Sequence, residues 1–177
     1  RVPFRDPDRR WLAAVQDAQR AMSLVRGRAE EWKLDPERIG ILGFSAGGQT
    51  AALTCTLDSE RQYDPIDDID RVSSRPDFAL IIYPGGLVDE QRGQLHEFVQ
   101  VKENVPPMFF AHAFDDNASV LNSLLLSVAI KQLDGSAELH VFESGGHGYG
   151  LRPTDAPVTL WPKFAEEWFF QKGLLTR

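Results

Sequence analysis

Ser45 sits in Gly43-Phe44-Ser45-Ala46-Gly47, behind the apolar run Ile39-Gly40-Ile41-Leu42 and ahead of the small-residue run Gln49-Thr50-Ala51-Ala52-Leu53. Gly-x-Ser-x-Gly between a strand and a helix is the context in which a serine hydroxyl is lifted off a sheet as a nucleophile. The glycines have a steric reason. Raising Oγ off a strand end forces positive φ at Ser45. It also draws the residues two before and two after together, and so predicts a clash for a Cβ at Gly43 or Gly47. The N-terminus of the following helix supplies N–H groups and a dipole that favour negative charge beside the hydroxyl. Without partners, the same string is only a glycine-rich turn.

A serine needs a base within hydrogen-bond reach, and the base needs an orienting carboxylate. Four histidines are available. His140, in Glu138-Leu139-His140-Val141-Phe142, reads as a strand residue with a structural role, and His96 lies in a polar stretch and reads as solvated. His112 ends the apolar run Pro107-Met108-Phe109-Phe110-Ala111, where packing or support of the site fits better than base catalysis. His147 stands in Ser144-Gly145-Gly146-His147-Gly148-Tyr149-Gly150, a glycine-rich loop after a strand that can present an imidazole without shielding it. Taken alone, loop residue and general base are equal readings of it. Asp115 and Asp116 follow another apolar strand, and either can receive the Nδ1 proton of His147; Asp pairs are also common turn formers. The order Ser45, Asp115 or Asp116, His147 is the order of α/β-hydrolases and not that of the chymotrypsin or subtilisin folds.

These loops need a sheet with all its strands aimed the same way. Strands are predicted near 39–44, 78–83, 107–113 and 138–143, and helices near 46–57, 119–134 and 157–172. An earlier helix over about 8–33 carries Trp11, Val15, Ala18, Met22, Val25, Ala29 and Trp32 at alternating spacings of four and three, the stripe of a helix packed on a sheet. Asp6 or Asp8 can cap it, with Pro7 suited to the first turn. In the last helix Trp161, Phe164, Ala165, Trp168 and Phe169 share one face and read as core. Strands alternating with helices give a parallel sheet, with the site beyond the strands' carboxyl ends.

Over nearly its full length the chain resembles the later part of α/β-hydrolase esterases of the acetyl-xylan-esterase and feruloyl-esterase-like branch. The resemblance rests on Asp35-Pro36-Glu37-Arg38-Ile39-Gly40-Ile41-Leu42-Gly43-Phe44-Ser45-Ala46-Gly47-Gly48, Ser74-Arg75-Pro76-Asp77-Phe78 and Tyr83-Pro84. It continues through Ala111-His112-Ala113-Phe114-Asp115-Asp116, Glu138-Leu139-His140-Val141-Phe142 and Gly145-Gly146-His147-Gly148-Tyr149-Gly150-Leu151-Arg152. It implies a single α/β domain over 1–177, a parallel sheet flanked by helices. It also implies Ser45 as nucleophile, His147 as base, Asp116 rather than Asp115 as the orienting acid, and Ala46 N–H as an oxyanion donor. Gln49, where the family commonly has histidine, and Asn117, where proline is frequent, depart from the pattern outside these positions. The substrate it implies is a short acyl ester, acetyl first, on carbohydrate, with no metal or organic cofactor.

The chain opens on Arg1, and no His-Gly-Gly-type loop precedes Ser45 to supply a second oxyanion donor, a loss that costs about 10²–10³ in rate. The expectation is therefore that the chain lacks the N-terminal strands of the fold. The edge of strand 39–44 is then expected to be covered by earlier residues or by another chain, as in a homo-oligomer, because an open apolar edge invites pairing. A chain of 177 residues with 42% apolar residues suits one globular domain. A net charge of −7 argues against nucleic acid, and no apolar stretch has membrane-spanning length. Asp64, Asp67, Asp68 and Asp70 lack the glycine and closing glutamate of an EF-hand and read as a solvated loop. The single Cys55 forms no intrachain disulfide and reads as buried in the helix after Ser45. Two rival readings remain: an inactive hydrolase-fold module serving as a binding or assembly partner, and a serine peptidase of the same fold.

Overall fold

The computed structural model describes residues 9–57 and 60–177, so the proposed caps Asp6, Pro7 and Asp8 lie outside the described residues. Its frame is a parallel four-stranded sheet in the order β1 (Ile41–Phe44), β2 (Ala79–Ile82), β5 (Met108–Ala113), β6 (Ala137–Phe142). The two inner strands are apolar almost throughout because both of their faces are covered. Alternation along them divides the core. Ala79, Ile81, Met108 and Phe110 pack with Val15, Ala51, Leu53, Leu126 and Ile130 on one side. Leu80, Ile82, Phe109 and Ala111 pack with Trp161, Ala165 and Trp168 on the other, as period-two side chains must.

The first face is covered by α1 (Arg10–Gly27), α3 (Ala46–Thr56) and α4 (Leu121–Gln132), and the second by α5 (Trp161–Gln171). All four predicted strands and the three later helices are present. The long first helix is not continuous: it breaks at Arg28 (φ −109°, ψ 14°), and a single turn, α2 (Ala29–Trp32), follows. Lys33 then takes a left-handed conformation (φ 57°). Past the break Ala29 is still buried, but Trp32, the last residue of the stripe, is 46% exposed rather than packed. A two-stranded antiparallel hairpin, β3 (Val88–Asp89) with β4 (Gln94–Leu95), lies in the connection between β2 and β5 and was not foreseen.

The buried face of α1 also carries Gln16, Gln19 and Ser23. Their partners include backbone groups of the loop after α3: Gln16 Nε2 donates to Gln62 O at 2.8 Å, Gln62 N donates to Gln19 Oε1 at 2.8 Å, and Ser23 Oγ donates to Val72 O at 2.9 Å while accepting from Arg61 Nη2 at 2.9 Å. Two expectations for loops are corrected here. Asp70 is buried rather than solvated, because Arg20 and Arg61 stand 3.0 and 3.1 Å from its carboxylate. His96 is half-buried, stacked on Phe98 with ring centroids 4.9 Å apart, and Phe98 in turn stacks on Trp11 at 4.6 Å. Cys55 is fully buried, as expected.

β1 lies at the end of the sheet, and among the described residues no strand pairs with its outer side. Leu42 is 47% exposed there. Beside it runs an apolar groove of about 290 Å³, lined by Ile41, Leu42, Phe78, Trp161, Pro162 and Phe169 among others.

Candidate active site

The turn after β1 has the strain the motif predicts. Ser45 has φ 54° and ψ −121°, a region of high cost for a residue with a side chain. The turn is held by Ser45 N–H donating to Ile82 O at 3.0 Å and by Gln49 N–H donating to Ser45 O at 3.1 Å. A Cβ on Gly43 would lie 2.0 Å from the Gly47 carbonyl oxygen, so Gly43 is sterically required. Gly47 is not: a Cβ there meets nothing within 4 Å. The second close approach falls one residue later, where a Cβ on Gly48 would sit 3.1 Å from Pro84 Cα. The squeeze is one-sided because Gly43 faces the carbonyl of Gly47, while Gly47's own free direction is solvent. Ala46 opens α3, so its N–H belongs to the first turn, where donors have no acceptor within the helix.

The other two sequence candidates converge on Ser45. Its Oγ is 2.8 Å from His147 Nε2. His147 Nδ1 lies 2.8 Å from Asp116 Oδ1 and 2.9 Å from Oδ2. The Asp116 side chain is fully shielded, whereas that of His147 is 33% exposed. A carboxylate at Nδ1 holds the proton on that nitrogen, leaving Nε2 as the acceptor facing the serine. Asp115 is turned elsewhere: its Oδ1 accepts the N–H groups of Gly145 at 2.9 Å and Gly146 at 2.8 Å, tying the β6 loop to the β5 loop just before His147. Ser45, Asp116 and His147 each follow the carboxyl end of a parallel strand, the edge where sites of open α/β sheets form.

The BD-FAE family model matches residues 5–89. An acetylxylan esterase of Xylanibacter ruminicola is 25% identical over 174 residues, which take in 85% of this chain and 34% of that protein. The chain thus spans about a third of the length of this curated relative. An acetyl ester-xyloside bifunctional hydrolase from Caldicellulosiruptor lactoaceticus superposes with a TM-score of 0.83 at 35% identity, over 98% of this chain and 69% of that one. The chain belongs to the α/β-hydrolase esterases. A second structure of this kind, Thermogutta terrifontis esterase 2 phosphorylated by paraoxon, matches with a TM-score of 0.77 at 28% identity, over 92% of this chain and 65% of that one.

Around the candidate site stand two tyrosines, Tyr83 and Tyr149, to which the sequence analysis gave no role of their own. Tyr83, after β2, has φ 38° although it is not glycine. Its ring meets His147 edge-on at 5.0 Å and Tyr149 at 4.4 Å between centroids. Tyr149 donates its hydroxyl to Ala111 O at 3.0 Å. Burial raises the pKa of both hydroxyls, so these rings form a neutral wall behind the imidazole. In the sequence Tyr83 stands at the end of an apolar run, in the Tyr83-Pro84 pair that carries part of the family resemblance. Gln49, the departure from the family pattern, donates Nε2 to Gly86 O at 2.7 Å and so ties α3 to the loop after β2. His140 has the structural role expected, 2.9 Å from Glu138 Oε1 and stacked on Phe164 at 4.5 Å. No group of three or more His, Cys, Asp or Glu side chains among the described residues is arranged to hold a metal ion. No helix among them is long and apolar enough to cross a membrane.

Proposed function

We propose that this chain hydrolyses carboxylic esters through an acyl-enzyme on Ser45. His147 Nε2 takes the Ser45 proton as Oγ attacks the ester carbonyl, and Asp116 stabilises the imidazolium that forms. The carbonyl oxygen becomes an oxyanion beside Ala46 N–H at the α3 N-terminus. Collapse expels the alcohol, which leaves with the proton from His147. Water, activated by the same imidazole, then attacks the acyl-enzyme and releases the acid and free Ser45. The reading is carried by one observation, the unbroken hydrogen-bond line from Ser45 Oγ through His147 to Asp116.

For the substrate, the proposal is a short acyl ester on carbohydrate, with acetyl first. It draws on the similarity to an acetylxylan esterase and an acetyl ester-xyloside hydrolase. The β2–β5 connection, with only a two-stranded hairpin in it, leaves little material for a large lid, which suits acyl groups presented on bulky alcohols. The test is hydrolysis of p-nitrophenyl acetate by this chain and by Ser45→Ala. A rate that depends on Ser45 is expected; equal background rates would reject the reading and favour a non-catalytic hydrolase-fold module. We infer too that the outer side of β1 is covered in the working protein, by earlier chain or a second copy. Sedimentation of this chain alone is expected to reveal self-association, and Leu42→Lys to weaken it.

A further inference from the structure

His112 is fully buried beneath the turn that carries Asp116. Its Nε2 lies 2.8 Å from the Ala118 carbonyl oxygen. A carbonyl can only accept, so the ring proton sits on Nε2. Nδ1, 2.8 Å from Ser123 Oγ, then accepts the hydroxyl proton of a fully buried serine on α4. Ala118 N–H donates to Asp116 Oδ1 at 2.7 Å. Both backbone groups of Ala118 are therefore held, one by the imidazole and one by the carboxylate. The Nε2–H edge also lies 3.6 Å from Asp116 Oδ2. Burial, with His147 pushing the same way, lowers the pKa of His112 against the opposing pull of the Ala118 carbonyl and Asp116, so the ring is neutral near pH 7.

We propose that His112 is a positioning residue for the esterase chemistry proposed above, an inference that rests on that reading. Its Nε2–H, directed by Ser123, clamps the 113–118 turn at Ala118 and so sets the Asp116 carboxylate against His147 Nδ1. The line of support runs from α4 through Ser123, His112, Ala118 and Asp116 to His147 without touching substrate. A ring that merely filled space would be replaced by another ring at little cost to turnover. A ring needed for its donor would not.

The experiment compares His112→Phe, which keeps a ring and loses the donor, with His112→Gln, whose amide N–H reaches toward the place of Nε2–H. His112→Phe is expected to lower kcat for p-nitrophenyl acetate by about tenfold to a hundredfold, with KM little changed. It should also shift or broaden the downfield Nδ1–H proton resonance of His147. His112→Gln should restore most of both. Ser123→Ala should move both in the same direction by less, and carries the test if the His112→Phe protein does not fold. A folded His112→Phe protein with parental kcat and resonance overturns the proposal, as does a His112→Gln protein no better than it. If the parent turns over no faster than Ser45→Ala, the esterase reading falls. The resonance then decides the clamp by itself, a shift in His112→Phe supporting it and an unchanged line rejecting it.

Discussion

Two buried aspartates, Asp70 and Asp116, treat negative charge in opposite ways. Both side chains are fully shielded. Asp70 accepts the Tyr63 hydroxyl at 2.6 Å and Ile66 N–H at 2.8 Å, with the guanidiniums of Arg20 and Arg61 alongside. Burial alone would raise its pKa, yet the Tyr63 hydroxyl, the Ile66 N–H and the two arginines outweigh burial and bring it down to about 2. Asp116 has instead Ala118 N–H and two imidazoles among the described residues, and one of those imidazoles, His112, is kept neutral by burial. A carboxylate neutralised by two permanent cations is insulated from chemistry. One whose partner is an imidazole gains most when that ring takes a proton, which in the proposed reaction is the moment Ser45 attacks. Burial alone does not tell a working carboxylate from a structural one; the permanence of its counter-charge does.

The sharpest way to break this contrast is Asp116→Asn. The amide cannot stabilise an imidazolium and allows the wrong tautomer at His147, so kcat is expected to fall by about 10⁴. Global stability in urea should change far less than activity. Steady-state kinetics alongside denaturation decides it, and a loss of stability matching the loss of turnover would put Asp116 in the same structural class as Asp70.

Asp70→Asn should give the mirror result. The amide keeps one acceptor oxygen but removes the charge shared by two half-buried guanidiniums, of which Arg20 retains its two-point pair with Asp67, so a loss of about 1.5 kcal/mol is expected, with kcat of the folded fraction close to parental. The pH dependence follows the same division. Asp70 is lowered from about 3.9 in an unfolded chain to about 2. Its contribution to stability is therefore complete above about pH 4 and is lost as pH falls through about 2. His112 has the same sign, because burial depresses its pKa while the unfolded ring takes up a proton below about 6.5. Stability measured by denaturant titration should thus decline in two stages on acidification, and Asp70→Asn should remove only the more acid one.

The candidate site residues were more legible in the sequence than the packing around them. Gly43, Ser45 and His147 declare themselves because one answers a close backbone approach, one an unusual φ and one an unshielded loop after an apolar run, and each requirement leaves a local signature. The four strands and the helices after Ser45 were legible for the same reason, through uninterrupted apolar runs and a clear alternation of element types. Residue chemistry alone left Asp115 and Asp116 as equals, since a turn former and an orienting acid use the same side chain; the family pattern separated them. Asp70, Gln16, Gln19 and Ser23 were hidden because their burial depends on partners about 40 residues or more away in several cases, such as Gln62 for Gln16 and Arg20 for Asp70. A polar residue announces burial only once its distant partner is known. The break at Arg28 leaves no mark in the apolar spacing, which runs through it to Ala29, still buried, and to Trp32, which is exposed.

Asp115 supplies the smallest effect and the control for both buried acids. Its carboxylate accepts two N–H groups from the loop before His147 through one oxygen, Oδ1, and the residue is exposed. An amide oxygen can accept the same two protons, so Asp115→Asn should leave kcat within about threefold, the scale of a single solvent-exposed hydrogen bond. Asp115→Ala removes the acceptor altogether. Water can replace it at an exposed site, but the loop then loses its tie to the β5 turn, and about tenfold in kcat is expected from the looser imidazole. The ranking Asp116→Asn far below Asp115→Ala, with Asp115→Asn near the parent, is what a charge-dependent acid beside a geometry-dependent tie must give. If Asp115→Asn instead lost more turnover than Asp116→Asn, the acid in the hydrogen-bond line would have been misassigned, and the contrast with Asp70 would have to be drawn from the neighbouring residue.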